Sequence, residues 1–178
     1  IPYVKSDDPL LSISADSGGS GRGSGGMASK LVAARMASWS GIRSVIARAS
    51  RRGVLAGSAS DELVGTTFAP HERTLPARKL WIAFAAEVAG SVHVDAGAQR
   101  ALTDRPNSLL PAGVAQIDGS FEPGQVVDVV GPAGVVFARG IASTGASALS
   151  QVLGHHTSAL PAGMANTVVH RDDLVVLA

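Results

Sequence analysis

Residues 23–40 read GSGGMASKLVAARMASWS, a glycine-rich loop that runs straight into a helical pattern over Met27–Ser40. Met27, Leu31 and Ala34 fall at i, i+4 and i+7, while Val32, Met36 and Trp39 make a second apolar stripe. Two stripes want cover on two sides, so the helix belongs inside a layered α/β fold. A β-branched run, Ile42–Ala47, follows it. A stop at Arg51-Arg52-Gly53, a strand-like piece over Val64–Phe68 and a linker-like APHERTLP at 69–76 come next. A parallel sheet of this kind is buried on both faces. Residues 1–68 supply one long helix and two or three strand-like runs, too little to cover it, so Val32, Met36 and Trp39 are expected to face water or another molecule.

From Gly90 onward the texture changes to short strands and turns. Ser91–Val94 reads as a strand, Asp95 as the N-cap of a helix, and Val114–Ile117 as a second strand. Glu122-Pro123-Gly124 leads into an alternating strand, Gln125–Val130, which Gly131-Pro132-Ala133-Gly134 turns into Val135–Ala138. A helix near Ser147–Leu153 and a last apolar strand, Leu174–Leu177, complete a small barrel. Asp172-Asp173 reads as a turn entering that strand, its carboxylates capping backbone N–H groups.

Composition narrows the function classes. The 178 residues contain no Cys, which excludes disulfides, thiolate zinc sites and Cys nucleophiles. Aromatic residues are only 4%, so an Ala, Val and Leu core suits tight packing better than a wide apolar cavity. The longest apolar run, Leu80–Ala86, is far shorter than the roughly 18 residues of a membrane span. A soluble, cytoplasmic protein without membrane association is expected. The first residues, IPYVKSDD, show neither an initiator Met nor a signal-peptide pattern and read as the middle of a longer chain. Charge is uneven: residues 1–87 hold 11 Lys or Arg against 7 Asp or Glu, and residues 88–178 hold 4 against 7. The basic half is therefore the better candidate for phosphate, and the acidic half a poor footprint for nucleic acid.

The loop before the first helix has the parts of a phosphate cradle. Glycines let backbone N–H groups approach phosphate oxygens, Ser24 and Ser29 offer hydroxyls, and Lys30 adds charge in the first turn, where the helix dipole favours an anion. The spacing is not that of a Walker A loop, because Lys30 follows Ser29 rather than a glycine. From the residues alone, composition favours a flexible Gly/Ser linker over a phosphate cradle.

The segments GSGGMASKLVAAR, GIRSVIA, VGTTF and RKLW resemble the C-terminal stretch of the kinase domain of the glutamate 5-kinase family. VDAGAQRAL, SLLPAGV, GSFEPGQVV, ARGIAS, LGHH and VVHRDDL resemble the PUA domain that follows it in many bacterial members. The resemblance implies the end of an amino-acid-kinase α/β/α sandwich over 1–70, a linker over 71–87 and a PUA-like β-barrel over 88–178. It also implies ATP binding by Ser24, Gly25, Gly26, Met27, Ala28, Ser29 and Lys30, with Ser24 standing where the family usually has Thr. Mg²⁺ is the implied cofactor, L-glutamate the implied acceptor, and glutamyl 5-phosphate, made in the first step of proline biosynthesis, the implied product. A homo-oligomer is expected. The family's N-terminal phosphate loop with its lysine, the glutamate-binding residues and a Ser-Asp pair at the nucleotide are expected upstream of Ile1, so these 178 residues alone are expected to be inactive. A non-catalytic PUA module, RNA-binding or regulatory, is the alternative.

Other constellations carry less. His155-His156 and His170 with Asp172-Asp173 lack metal-ligand spacing, and no metal site is expected there. No G-x-S-x-G elbow singles out a nucleophilic serine. Trp39 and Trp81 read as core or interface residues. Arg43, Arg48, Arg51 and Arg52 could touch a nucleotide or form a solvated basic face. The second half offers only Arg100, Arg105, Arg139 and Arg171 as cations, so any RNA binding there should be weak and steeply salt-sensitive. Thr144 and Ala146 replace the Tyr and Ser usual after the ARG stretch.

Overall fold

A computed structural model describes residues 1–5, 8, 26–60, 62–153 and 166–177. The chain divides into two compact units, Ile1–Leu80 and Trp81–Ala178. Among the described residues no helix is long and apolar enough to cross a membrane.

In the first unit, β1 (Tyr3–Val4), β2 (Ser44–Ala47) and β3 (Gly65–Phe68) form a sheet in the order β1-β3-β2. β1 runs parallel to β3, but β2 runs antiparallel to it, so the sheet is mixed and the expected all-parallel arrangement is corrected. The helix α1 spans Met27–Trp39, and α2, a short helix the apolar pattern did not announce, spans Val54–Ala59. The core is small: Val4, Ala34 and Phe68, flanked by Leu31 and Ile46. α1 buries Ala34 and Ser38, a narrower stripe than either apolar pattern suggested. Val32 is exposed as expected, while Met36 and Trp39 are half-buried, Trp39 stacking on the His71 ring at 3.8 Å between centroids.

The C-terminus of α1 is closed with unusual completeness. A helix leaves its last four carbonyls without intrahelical partners. Here Ser40 N–H donates to Met36 O, Ile42 N–H to Ala37 O, Gly41 N–H to Ser38 O, and Leu75 N–H to Trp39 O. Gly41, at φ 74°, supplies the left-handed residue that this Schellman geometry requires. Ile42 is thereby spent on the cap, and the strand begins at Ser44. The segment expected to be a plain linker straps the helix end: His71 N–H also donates to Ser38 O, and Ser38 Oγ to Ala69 O at 2.7 Å. α3 (Ala77–Leu80) ends the unit.

The second unit opens with a π-helical turn, Trp81–Ala85, that buries Ile82 and Ala83. Five strands follow, β4 (Val88–Val94), β5 (Val114–Gly119), β6 (Val126–Val130), β7 (Val136–Ala142) and β8 (Val169–Val176), in the order β5-β4-β6-β7-β8. β6 is central, and its VVDVV run is buried on both faces apart from Asp128. The helix α4 (Ala96–Asp104) starts where Asp95 Oδ1 accepts from Ala98 N–H at 2.7 Å, the N-cap expected from sequence. α5 spans Ala146–Ser150. Leu109, on the chain leading into β5, bridges Val169 of β8, which brings the two sheet edges together in a curled, barrel-like layer. Val92, Leu109, Phe121, Val127, Val129 and Leu149 lie at its centre.

Asp172-Asp173 do not form a turn before the last strand. They lie within β8, where β7 advances two residues, Gly140 to Ala142, while β8 advances five, Leu174 back to Val169. This irregular excursion of β8 leaves His170, Arg171 and Asp172 exposed, so polar residues sit inside a strand without facing the core.

Candidate functional site

α1 begins at Gly26, which has extended backbone and no side-chain cap; the first turn contains no acidic residue. The positive end of the helix is therefore not neutralised by its own side chains. Ser29 Oγ donates to Gly26 O at 2.9 Å, and Lys30 Nζ reaches the same carbonyl at 3.5 Å. Both polar side chains thus fold back toward the helix entrance. Ser24 and Gly25 lie outside the described residues. Met27 and Ser29 are exposed and Ala28 is half-buried.

Lys30 also lines a cavity of about 340 Å³ with Ala33 and Ala34 of α1 and Ser44–Ala47 of β2. Small side chains on α1 leave this space open beside the sheet. Ser44 is one of the lining residues, and its Oγ is itself buried, without a hydrogen-bond partner among the described residues, an uncommon state for a polar atom. The sequence held no sign of it, because the cavity depends on where β2 crosses beneath α1. The basic cluster is partly consumed by structure: Arg43 Nη2 donates to Ser58 O at 2.7 Å, and Arg51 Nη1 to Val64 O at 3.2 Å. Arg48 and Arg52 are exposed.

In the second unit the cations differ from expectation. Arg139 is engaged within the protein: its Nε donates to Asp128 Oδ1 at 2.7 Å and its Nη1 to Ala83 O at 2.8 Å, both charged side chains about one-fifth exposed. Arg100, Arg105 and Arg171 remain exposed. Thr144 and Ala146 are buried, so those positions pack rather than present a surface. His155 and His156 lie outside the described residues, and His170 Nδ1 sits 3.4 Å from Asp172 Oδ2 on the excursion of β8. On β4 and β5, His93 Nε2 meets Asp118 Oδ2 at 2.6 Å while Gln116 Nε2 donates to Asp118 Oδ1 at 2.8 Å. Those hydrogen bonds, Gln116's first, hold the Asp118 carboxyl below its ordinary value.

Comparison with known proteins matches both halves. Residues 90–164 match the PUA domain family. The glutamate 5-kinase of Rhodococcus opacus is 45% identical over 177 residues, covering 99% of this chain and 47% of that protein. The glutamate 5-kinase of Moorella thermoacetica is 40% identical over 181 residues, covering 99% and 48%. The chain thus spans about half the length of the curated relatives it matches. A crystal structure of a PUA domain from Aeropyrum pernix, a tartrate complex, is 31% identical, covers 54% of this chain and 50% of its own, and has a TM-score of 0.38. The chain is thus similar to glutamate 5-kinases over 99% of its length, and its residues 90–164 match the PUA domain family.

Proposed function

We propose that Ser24, Gly25, Gly26, Met27, Ala28, Ser29 and Lys30 bind the phosphates of ATP, and that the complete protein is a cytoplasmic, homo-oligomeric glutamate 5-kinase of proline biosynthesis. The observation that carries this reading is the uncapped start of α1, with Ser29 and Lys30 drawn to Gly26, within a chain that is 45% identical to such a kinase along its length. Backbone N–H groups and a lysine at a helix start are donors matched to phosphate oxygens.

In the reaction, an oxygen of the glutamate γ-carboxylate attacks the γ-phosphorus of ATP, and the bond to the β,γ-bridging oxygen breaks. Glutamyl 5-phosphate and ADP result. Catalysis of phosphoryl transfer rests on positioning and charge stabilisation. Lys30 balances negative charge on the phosphates, and the amides at the helix start orient them. Gly26–Lys30 contain no carboxylate, so they fit the nucleotide's phosphates and not Mg²⁺ itself. The 178 residues alone do not turn over glutamate on this reading, because placement of the acceptor supplies much of the rate.

The test is Lys30→Ala in the longer protein. The KM for ATP should rise about tenfold or more while the KM for glutamate and the melting temperature hold. Unchanged ATP kinetics would remove Lys30 from the site.

A further inference from the structure

Beside the π-helical turn of the second unit lies a cavity of about 370 Å³, lined by Trp81, Ala86, Glu87, Val88, Gly124 and Gln125 among others. π-Helical turns are rare and recur at functional sites. Here the turn closes through Ala86 N–H donating to Trp81 O at 2.9 Å, and Trp81, Ala86 and Glu87 all belong to the cavity lining. Trp81 is 49% exposed, although a large aromatic side chain is ordinarily better covered. Glu87 is exposed as well, and its carboxylate has no ion pair or hydrogen bond among the described residues. Among the described lining residues it is the one charged group. The lining residues that lead into β6 beside β4 are fixed: Gln125 Oε1 accepts from Glu122 N–H, and Gly124, at φ 90°, donates from its N–H to Ala142 O at 2.7 Å.

We propose that this cavity receives the guanidinium of an arginine side chain from a protein partner, stacked on the Trp81 indole and paired with Glu87. An indole face attracts cations through its quadrupole, and a planar guanidinium both stacks on it and pairs with a carboxylate. Charge favours such an occupant. The unit from Trp81 onward holds four arginines against eight carboxylates, and Arg139 is already tied to Asp128. Its field therefore draws cations and repels phosphate. The proposal does not rest on the kinase reading, since every lining residue lies in the second unit.

The test is titration of the whole chain with N-acetyl-L-arginine amide, followed by the Trp81 indole N–H signal in ¹H–¹⁵N spectra and assigned with Trp81→Phe. A saturable shift of that signal is expected, with the Trp39 signal still. Glu87→Gln should weaken binding about fivefold with an unchanged melting temperature, as should added salt. The neutral isostere N-acetyl-L-citrulline amide should give no saturable shift. Equal binding of the citrulline analogue, equal binding of N-acetyl-L-lysine amide, or indifference to Glu87→Gln would overturn the assignment.

Discussion

Asp128 and Arg139 stand directly opposite each other across the β6–β7 ladder, and their side chains join at 2.7 Å between Oδ1 and Nε. Arg139 also reaches Ala83 O, so one guanidinium fastens the π-helical turn to the sheet. Each side chain is about one-fifth exposed, which places the pair between a surface bridge and a buried one. Asp128→Ala leaves the guanidinium half-satisfied and should cost about 2 kcal/mol in urea unfolding. Arg139→Met should cost at least as much, because Ala83 O loses its donor too, and the double variant should cost less than the sum. Additive costs would show that the two groups do not act together.

Gly140 and Gly134 separate two reasons for glycine. A Cβ on Gly140 would lie 2.4 Å from Val169 Cγ1 and 2.9 Å from Asp173 O, and a ladder carbonyl has little freedom to withdraw. Gly134 sits in the β6–β7 turn at φ 75° with nothing within 4 Å. Gly140→Ala should cost about 1–3 kcal/mol from overpacking, and Gly134→Ala about 1 kcal/mol from left-handed strain alone. Equal midpoints for the two in thermal or urea unfolding would contradict this ordering.

These residues also mark what the sequence could tell. The Asp95 cap, the Gln125–Val130 strand and the α1 boundaries follow local rules, a capping carboxylate, an apolar run between turns and a periodic stripe, and the structure has them within a residue or two. The Asp128–Arg139 pair and the excursion of β8 depend on register between distant strands, which no local pattern encodes. α2 was hidden for a related reason. Its Gly57 argues against a helix locally, yet a Cβ there would meet Val64 Cγ1 at 2.5 Å, so packing chose glycine over propensity. In the candidate site, Lys30 was legible as a charge beside glycines, whereas the Ser44 hydroxyl became visible only with β2 laid against α1.

Asp118 gives a pH dependence with a definite sign. Its folded-state value lies below the ordinary 3.8, held there first by the Gln116 hydrogen bond and then by His93. A carboxylate depressed on folding contributes stability above the unfolded value and loses it as pH falls through the folded one. The contribution should therefore be complete at neutral pH, begin to fall as pH approaches the unfolded value of about 4, and vanish only below the depressed folded value. Gln116→Ala should move the Asp118 carboxyl titration, read by NMR, back upward. A titration that ignores Gln116 would assign the depression to another group.

Ser44 offers a test with two readouts of opposite sign. Its buried Oγ has no partner among the described residues, so Ser44→Ala removes an unsatisfied polar atom and should leave stability unchanged or raise it by up to about 1 kcal/mol. Proteins seldom keep such an atom without a use. Ser44 lines the same cavity as Lys30, and because its Oγ is covered, a nucleotide group in that space reaches the hydroxyl by rotation of the Ser44 side chain toward the opening. In the longer protein, Ser44→Ala should then weaken ATP binding by about fivefold to tenfold while the unfolding midpoint holds or rises. A fall in stability with unchanged ATP affinity would make Ser44 a packing residue and would separate this cavity from the nucleotide.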